Sequence, residues 1–178
     1  MVMFIFHSLN NFIMSTVTLG GNAVNLKGIF PEAGQIARNF TMVKGDLSEA
    51  SLSDWAGKKV ILNIFPSLDT AVCATSVRKF NQLAAGKADT VVLAISKDLP
   101  FAQGRFCTTE GIENVVPLSA FRNDSFGEDY GVAMADGPLA GLLARAVVVI
   151  GKDGKVVYSQ LVPEITTEPD YEKAIAAL

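Results

Sequence analysis

Two cysteines are the residues best suited to chemistry, and the more informative one closes the run Pro66-Ser67-Leu68-Asp69-Thr70-Ala71-Val72-Cys73. Val60 to Phe65, just before it, is the apolar run of a buried strand, and the residues after it have helical spacing. Cys73 therefore falls in the first turn of a helix, immediately beyond a strand end. Backbone N–H groups are unpaired there and the helix dipole is positive, so a thiolate is favoured, and the thiolate is the nucleophile. Pro66 fixes the chain just past the strand. Thr70 offers a hydroxyl that could cap the helix or bond a substrate oxygen. The competing reading is a buried structural thiol, since Cys73, Val77, Phe80 and Ala84 share one helical face. Such a cysteine would need neither Pro66 nor Thr70.

A thiolate also needs a positive partner. A free thiol is only about 3% ionised at neutral pH, and lowering its pKa to about 6 takes roughly 3.4 kcal/mol. A helix terminus supplies roughly 0.3–1 kcal/mol, up to about 2. The rest must come from a cation or hydrogen-bond donors. The chain's only histidine is His7, near the start, so a Cys–His pair is not expected. Arg145 is the candidate, at the mouth of the apolar run Ala146-Val147-Val148-Val149-Ile150. It is either an ordinary surface charge at a strand end or a buried cation with a specific partner. Cys107, in Arg105-Phe106-Cys107, is either an inert core thiol or a resolving partner for an oxidised Cys73. It lies too far along the chain from Cys73 for a Cys-x-x-Cys unit. One histidine and two separated cysteines do not make a zinc site.

Positioning these residues requires a core, and 178 residues with 49% hydrophobic and 19% charged residues supply one globular domain. A net charge of −3 without a dense basic run argues against nucleic acid as a partner. Two cysteines are too few for a disulfide-scaffolded secreted fold. The apolar run Met1 to Phe6 is too short to span a membrane and lacks a signal-peptide pattern, so residues 1–13 are expected to be a disordered or upstream-start extension and residues 14–178 the domain. The glycine-containing loops Gly20-Gly21 and Gly137 to Gly141 match neither dinucleotide nor P-loop patterns.

Along the chain, Val17–Leu19 and Ala23–Leu26 around Gly20-Gly21-Asn22 predict a hairpin. Phe40–Val43 predicts a short strand, and Ser51–Gly57 a turn that packs Trp55. Strand Val60–Phe65 leads to a helix over Ala71–Ala85, ended by Gly86. Strand Thr90–Ser96 leads to a short helix opening at Pro100, with Asp98 as a candidate cap and Cys107 at or just past the end. A weaker strand at Val116–Ala120 and a short helix at Ser125–Tyr130 follow. Ala146–Ile150 and Lys155–Leu161 form a second hairpin through Lys152-Asp153-Gly154, and Tyr171–Leu178 a closing helix. Glu164 to Glu172 reads as a solvated acidic loop and helix start. The order predicts an α/β fold, a central mixed sheet with helices on both faces.

These residues resemble a known family. Pro66-x3-Thr70-x2-Cys73 is similar to the peroxiredoxin active-site signature. Asn63 to Thr70, Ser76 to Gln82, Asp98 to Gln103 with Arg105 to Cys107, Ala135 to Leu139, Ala144 to Ile150 and Glu164 to Tyr171 resemble the bacterial thiol peroxidase subfamily, from about Met14 to Leu178. The resemblance implies a thioredoxin-like fold with an N-terminal β-hairpin and an atypical two-cysteine mechanism. Cys73 would be the peroxidatic cysteine and Cys107 the resolving one, joined as an intramolecular Cys73–Cys107 disulfide. Thr70 and Arg145 would hold and polarise the peroxide, and Pro66 would shield the sulfur. It implies hydrogen peroxide and alkyl hydroperoxides as substrates, thioredoxin as reductant, a cytoplasmic homodimer, and no metal or organic cofactor. The alternatives are a thioredoxin-fold disulfide oxidoreductase, disfavoured by the missing Cys-x-x-Cys, and a non-enzymatic redox sensor or chaperone-like binder.

Overall fold

The computed structural model describes residues 15–178; the extension expected over residues 1–13, and His7 with it, lies outside them. Four parallel or antiparallel pairings build the centre of the sheet, and they follow from near-continuous apolar strands buried on both faces. β5 (Lys59–Ile64) and β6 (Thr90–Ser96) are parallel neighbours with Ile64 opposite Ile95. β7 (Val115–Ser119) runs parallel to β6, and β9 (Ala146–Ile150) runs antiparallel to β5. β10 (Val156–Leu161) returns antiparallel to β9 through the predicted turn. With β3 (Thr41–Val43) and β4 (Glu49–Ser51) these form one seven-stranded mixed sheet in the order β10-β9-β5-β6-β7-β3-β4.

Because side chains alternate faces along a strand, each strand feeds two cores. Ile61, Val92, Ala94, Val147 and Val149 face α1 (Ala71–Ala84) and α4 (Tyr171–Ala176), and Phe106 and Cys107 of α2 (Pro100–Glu110) pack on the same cluster. Leu62, Ile64, Leu93, Ile95 and Val148 face the other way. There they meet α3 (Phe126–Asp129) and a small sheet of β1 (Thr16–Leu19), β2 (Asn22–Lys27) and β8 (Ala133–Met134). The β1–β2 turn needs positive φ at both central residues, and Gly20 and Gly21 take +59° and +81°. No helix among the described residues is long and apolar enough to cross a membrane.

The α/β expectation and the main strands and helices hold to within a residue or two. Three details differ. β4 and β8 are too short to carry a periodic signal. Asp98 does not cap α2: the cap residue is Leu99, with no side-chain bond to the helix, and Pro100 opens it without needing a donor partner. Cys107 lies inside α2, which runs on to Glu110 and closes on left-handed Gly111. Asp98 has a different task, described below.

Candidate active site

Cys73 sits in the first turn of α1 and is fully buried. The turn before the helix is set by the chain itself. Thr70 is extended at the cap position, and its N–H donates to the Ser67 carbonyl at 3.2 Å. No acidic residue occupies the first turn of α1, so nothing there offsets the positive end of the helix beside the sulfur. The Thr70 hydroxyl has one proton and two acceptors in reach, the Ser67 carbonyl at 2.9 Å and Cys73 Sγ at 2.7 Å. It makes no capping bond to the helix, which leaves it free to turn to the sulfur.

Arg145 arrives from the opposite side, one residue before β9. It is 2% exposed, so the surface-charge reading fails. Its Nε–H donates to the Ile165 carbonyl at 3.0 Å and its Nη2–H to Cys73 Sγ at 3.4 Å. Its Nη1 is buried without a partner among the described residues. A cation this deep is costly unless it faces an anion, and the group it faces is the Cys73 sulfur. Two donors, one of them charged, therefore converge on a sulfur at a helix N-terminus. That combination can stabilise negative charge that develops at the sulfur or on an oxygen leaving beside it.

Pro66 is buried two residues past the end of β5, in the segment that leads to Thr70. Thr70, Cys73 and Arg145 are thus brought together, with Pro66 in the adjoining turn. Cys107 is not bonded to Cys73; both thiols are free. It is half-buried against the α1 core, and burial pushes its thiol above the ordinary value.

The structure adds groups that sequence reasoning passed over. The Ser76 hydroxyl donates to the Cys73 carbonyl at 2.8 Å and accepts from the buried Asn63 amide at 3.2 Å, which braces the first turn of α1. The signal was available: Asn63 interrupts an otherwise apolar buried strand. Glu164 is no solvated loop residue. It accepts from the Gly20 and Gly21 N–H groups, the Thr18 hydroxyl, and the Thr166 N–H and hydroxyl. These bonds, those from Gly21 and Thr18 foremost, hold its carboxyl well below the usual carboxylate range. They pin the β1–β2 turn to the segment whose Ile165 carbonyl orients Arg145.

Residues 32–175 match the redoxin family. The chain is 62% identical over 165 residues to a thiol peroxidase of Mycobacterium tuberculosis, covering 93% of this chain and 99% of that one. A Corynebacterium glutamicum thiol peroxidase is 56% identical over the same share of both chains. The chain belongs to the thiol peroxidase family. Among solved structures, a peroxiredoxin-like protein from Aquifex aeolicus superposes with a TM-score of 0.87 at 44% identity, covering 92% of this chain and 95% of that one. A thiol peroxidase from Chromobacterium violaceum shares the fold at a TM-score of 0.83 and 21% identity, over 89% and 91% of the two chains. A thioredoxin-like, peroxiredoxin-type fold and a peroxidase chemistry at a thiol follow for this family member, and the two competing functional readings lose their footing.

Proposed function

We propose that Cys73 is the thiol at which this thiol peroxidase reduces hydroperoxides, and that Cys107 resolves the product. The observation that carries this reading is the convergence of Thr70 Oγ1 and Arg145 Nη2 on one buried sulfur, at 2.7 and 3.4 Å. The Cys73 thiolate attacks one oxygen of ROOH along the O–O axis. An S–O bond forms, the O–O bond breaks, and the alkoxide or hydroxide that leaves takes a proton. Arg145, with its unpartnered Nη1, and Thr70 stabilise the charge on that leaving oxygen. Pro66 shields the sulfur from water. Cys73 becomes a sulfenic acid.

Cys107, as its thiolate, then attacks the Cys73 sulfur: the S–S bond forms, the S–O bond of the sulfenic acid breaks, and the leaving hydroxide takes the proton that Cys107 gave up, so water is released. The two sulfurs stand on separate helices, and a disulfide needs Cα atoms within about 7 Å. The end of α2, and the first turn of α1 with it, therefore unwinds locally. Thioredoxin restores both thiols by exchange. Hydrogen peroxide and alkyl hydroperoxides are both substrates, and the working unit is a homodimer in the cytoplasm; these assignments rest on the family resemblance.

Intact-mass measurement after one equivalent of peroxide tests the reading. The wild type should lose two hydrogens and Cys107→Ser should gain one oxygen. Peptide mapping without reductant should link Cys73 to Cys107 of the same chain. A covalent dimer linked through Cys107 would contradict the intramolecular assignment.

A further inference from the structure

The segments that carry the two cysteines are tied together at one carboxylate. β5 and β6 are parallel and in register, so both emerge at the same sheet edge, with the Phe65 N–H donating to the Ile95 carbonyl at 3.1 Å. Ser67 and Asp98 therefore leave adjacent strand ends. Asp98 Oδ1 accepts from the Ser67 hydroxyl at 2.7 Å, and Oδ2 from the Leu68 N–H and the Ser96 hydroxyl, each at 2.8 Å. Ser96 Oγ in turn accepts from the Gln103 amide at 3.1 Å, and the same amide donates to the Leu118 carbonyl at 3.1 Å. The Ser119 hydroxyl holds the Asp98 backbone carbonyl.

One arm of this hub ends on the turn that presents Thr70 to the sulfur, because the Ser67 carbonyl is the acceptor for the Thr70 N–H. The other arm ends on Gln103, which is 1% exposed and stands one helical turn before Cys107 on α2. A simple loop brace would need only the first arm. The second arm is also not fully satisfied: Gln103 Oε1 is buried without a partner among the described residues. Leaving a buried acceptor unpaired is unfavourable, so α2 is docked through this amide at a cost that undocking relieves.

We propose that Asp98 is a positioning residue that couples the docking of α2 to the closure of the Ser67–Thr70 turn. With the hub closed, Thr70 stands on the Cys73 sulfur and peroxide is reduced. With the hub open, α2 is released and Cys107 reaches the sulfenic acid, forming the S–S bond and losing water. Asp98 thus favours the first step and opposes the second. The inference rests on the assignment of Cys73 and Cys107 above.

Rapid-quench mass spectrometry of the full chain resolves the two steps, as gain of one oxygen and then loss of water. Asp98→Asn removes the charge that gathers the hub. It should slow oxidation of Cys73 and speed disulfide formation, each by about fivefold, the equivalent of about 1 kcal/mol. Ser96→Ala removes the hydroxyl that links the Asp98 carboxylate to Gln103 and leaves the Ser67 and Leu68 bonds to that carboxylate in place. It should speed disulfide formation by about fivefold while oxidation stays within about twofold of wild type. A purely structural brace would lower the melting temperature and slow both steps together, and that result overturns the proposal. So does a Ser96→Ala protein that closes its disulfide at the wild-type rate; this variant decides the matter alone if Asp98→Asn does not fold. If the wild type takes up no oxygen at Cys73, the functional reading falls and this proposal with it. If the wild type completes both steps and the variants fail to diverge, only the role of Asp98 falls.

Discussion

Cys73 is fully buried with two donors on its sulfur, whereas Cys107 is half-buried and receives no hydrogen bond among the described residues. Burial acts on both, and for Cys107 it is the cause that raises the thiol. The contrast separates two effects that the word "buried" conflates. Desolvation alone makes a thiol inert. Desolvation with a guanidinium, a hydroxyl and a helix N-terminus on the sulfur supplies the donors and positive potential that the proposed nucleophile needs. Location within the helix reinforces the difference. Cys73 opens α1, where N–H groups are free, and Cys107 lies near the end of α2, where its own carbonyl accepts from the Gly111 and Ile112 N–H groups.

The largest effect should come from exchanging the sulfur that has partners. Cys73→Ser should abolish peroxide consumption with a thioredoxin system while leaving the circular dichroism spectrum unchanged. Substantial turnover by that variant would erase the distinction between the two thiols. Next comes the cation. Arg145→Met should slow oxidation of Cys73 in stopped flow by at least about tenfold, which corresponds to about 1.4 kcal/mol of transition-state stabilisation. The same change takes the donor from the buried Ile165 carbonyl, which costs about 1–3 kcal/mol, so the melting temperature should fall by about 2–10 °C. A variant that melts far earlier would make Arg145 a structural residue first.

The half of this comparison that belongs to Cys73 was legible in the sequence. An apolar strand, a proline, a threonine and a cysteine at the start of a helical pattern specify the turn, and each is a local signal. Arg145 could be nominated by elimination, but its depth could not, because burial depends on the segment around Ile165 folding over it. Asp98 was misread for the same reason. An aspartate two residues before Pro100 has the pattern of a helix cap, and only the parallel register of β5 and β6 reveals that Ser67 and Leu68 take its two carboxylate oxygens. Glu164 was passed over because its partners on the β1–β2 turn lie at the other end of the chain. Local chemistry is written in short runs, whereas long-range polar contacts depend on register, which a single sequence does not carry.

The smallest effect concerns the second thiol and its pH dependence. In the docked helix, burial raises the Cys107 thiol above its unfolded value. A thiol is neutral when protonated, so a raised folded pKa means that docking is fully favoured below the unfolded value, near pH 8.5, and weakens as pH rises through the folded one. Unwinding exposes Cys107 and returns it to ordinary acidity. Below the unfolded value docking is unchanged by pH, and on the proposed reading pH would act there through the thiolate fraction of the released Cys107. From pH 7 to pH 8 the thiolate fraction of an exposed cysteine rises about eightfold. Disulfide formation in the rapid-quench experiment should rise by about that factor over the same interval. A second step independent of pH would mean that Cys107 does not attack as a thiolate released from its burial.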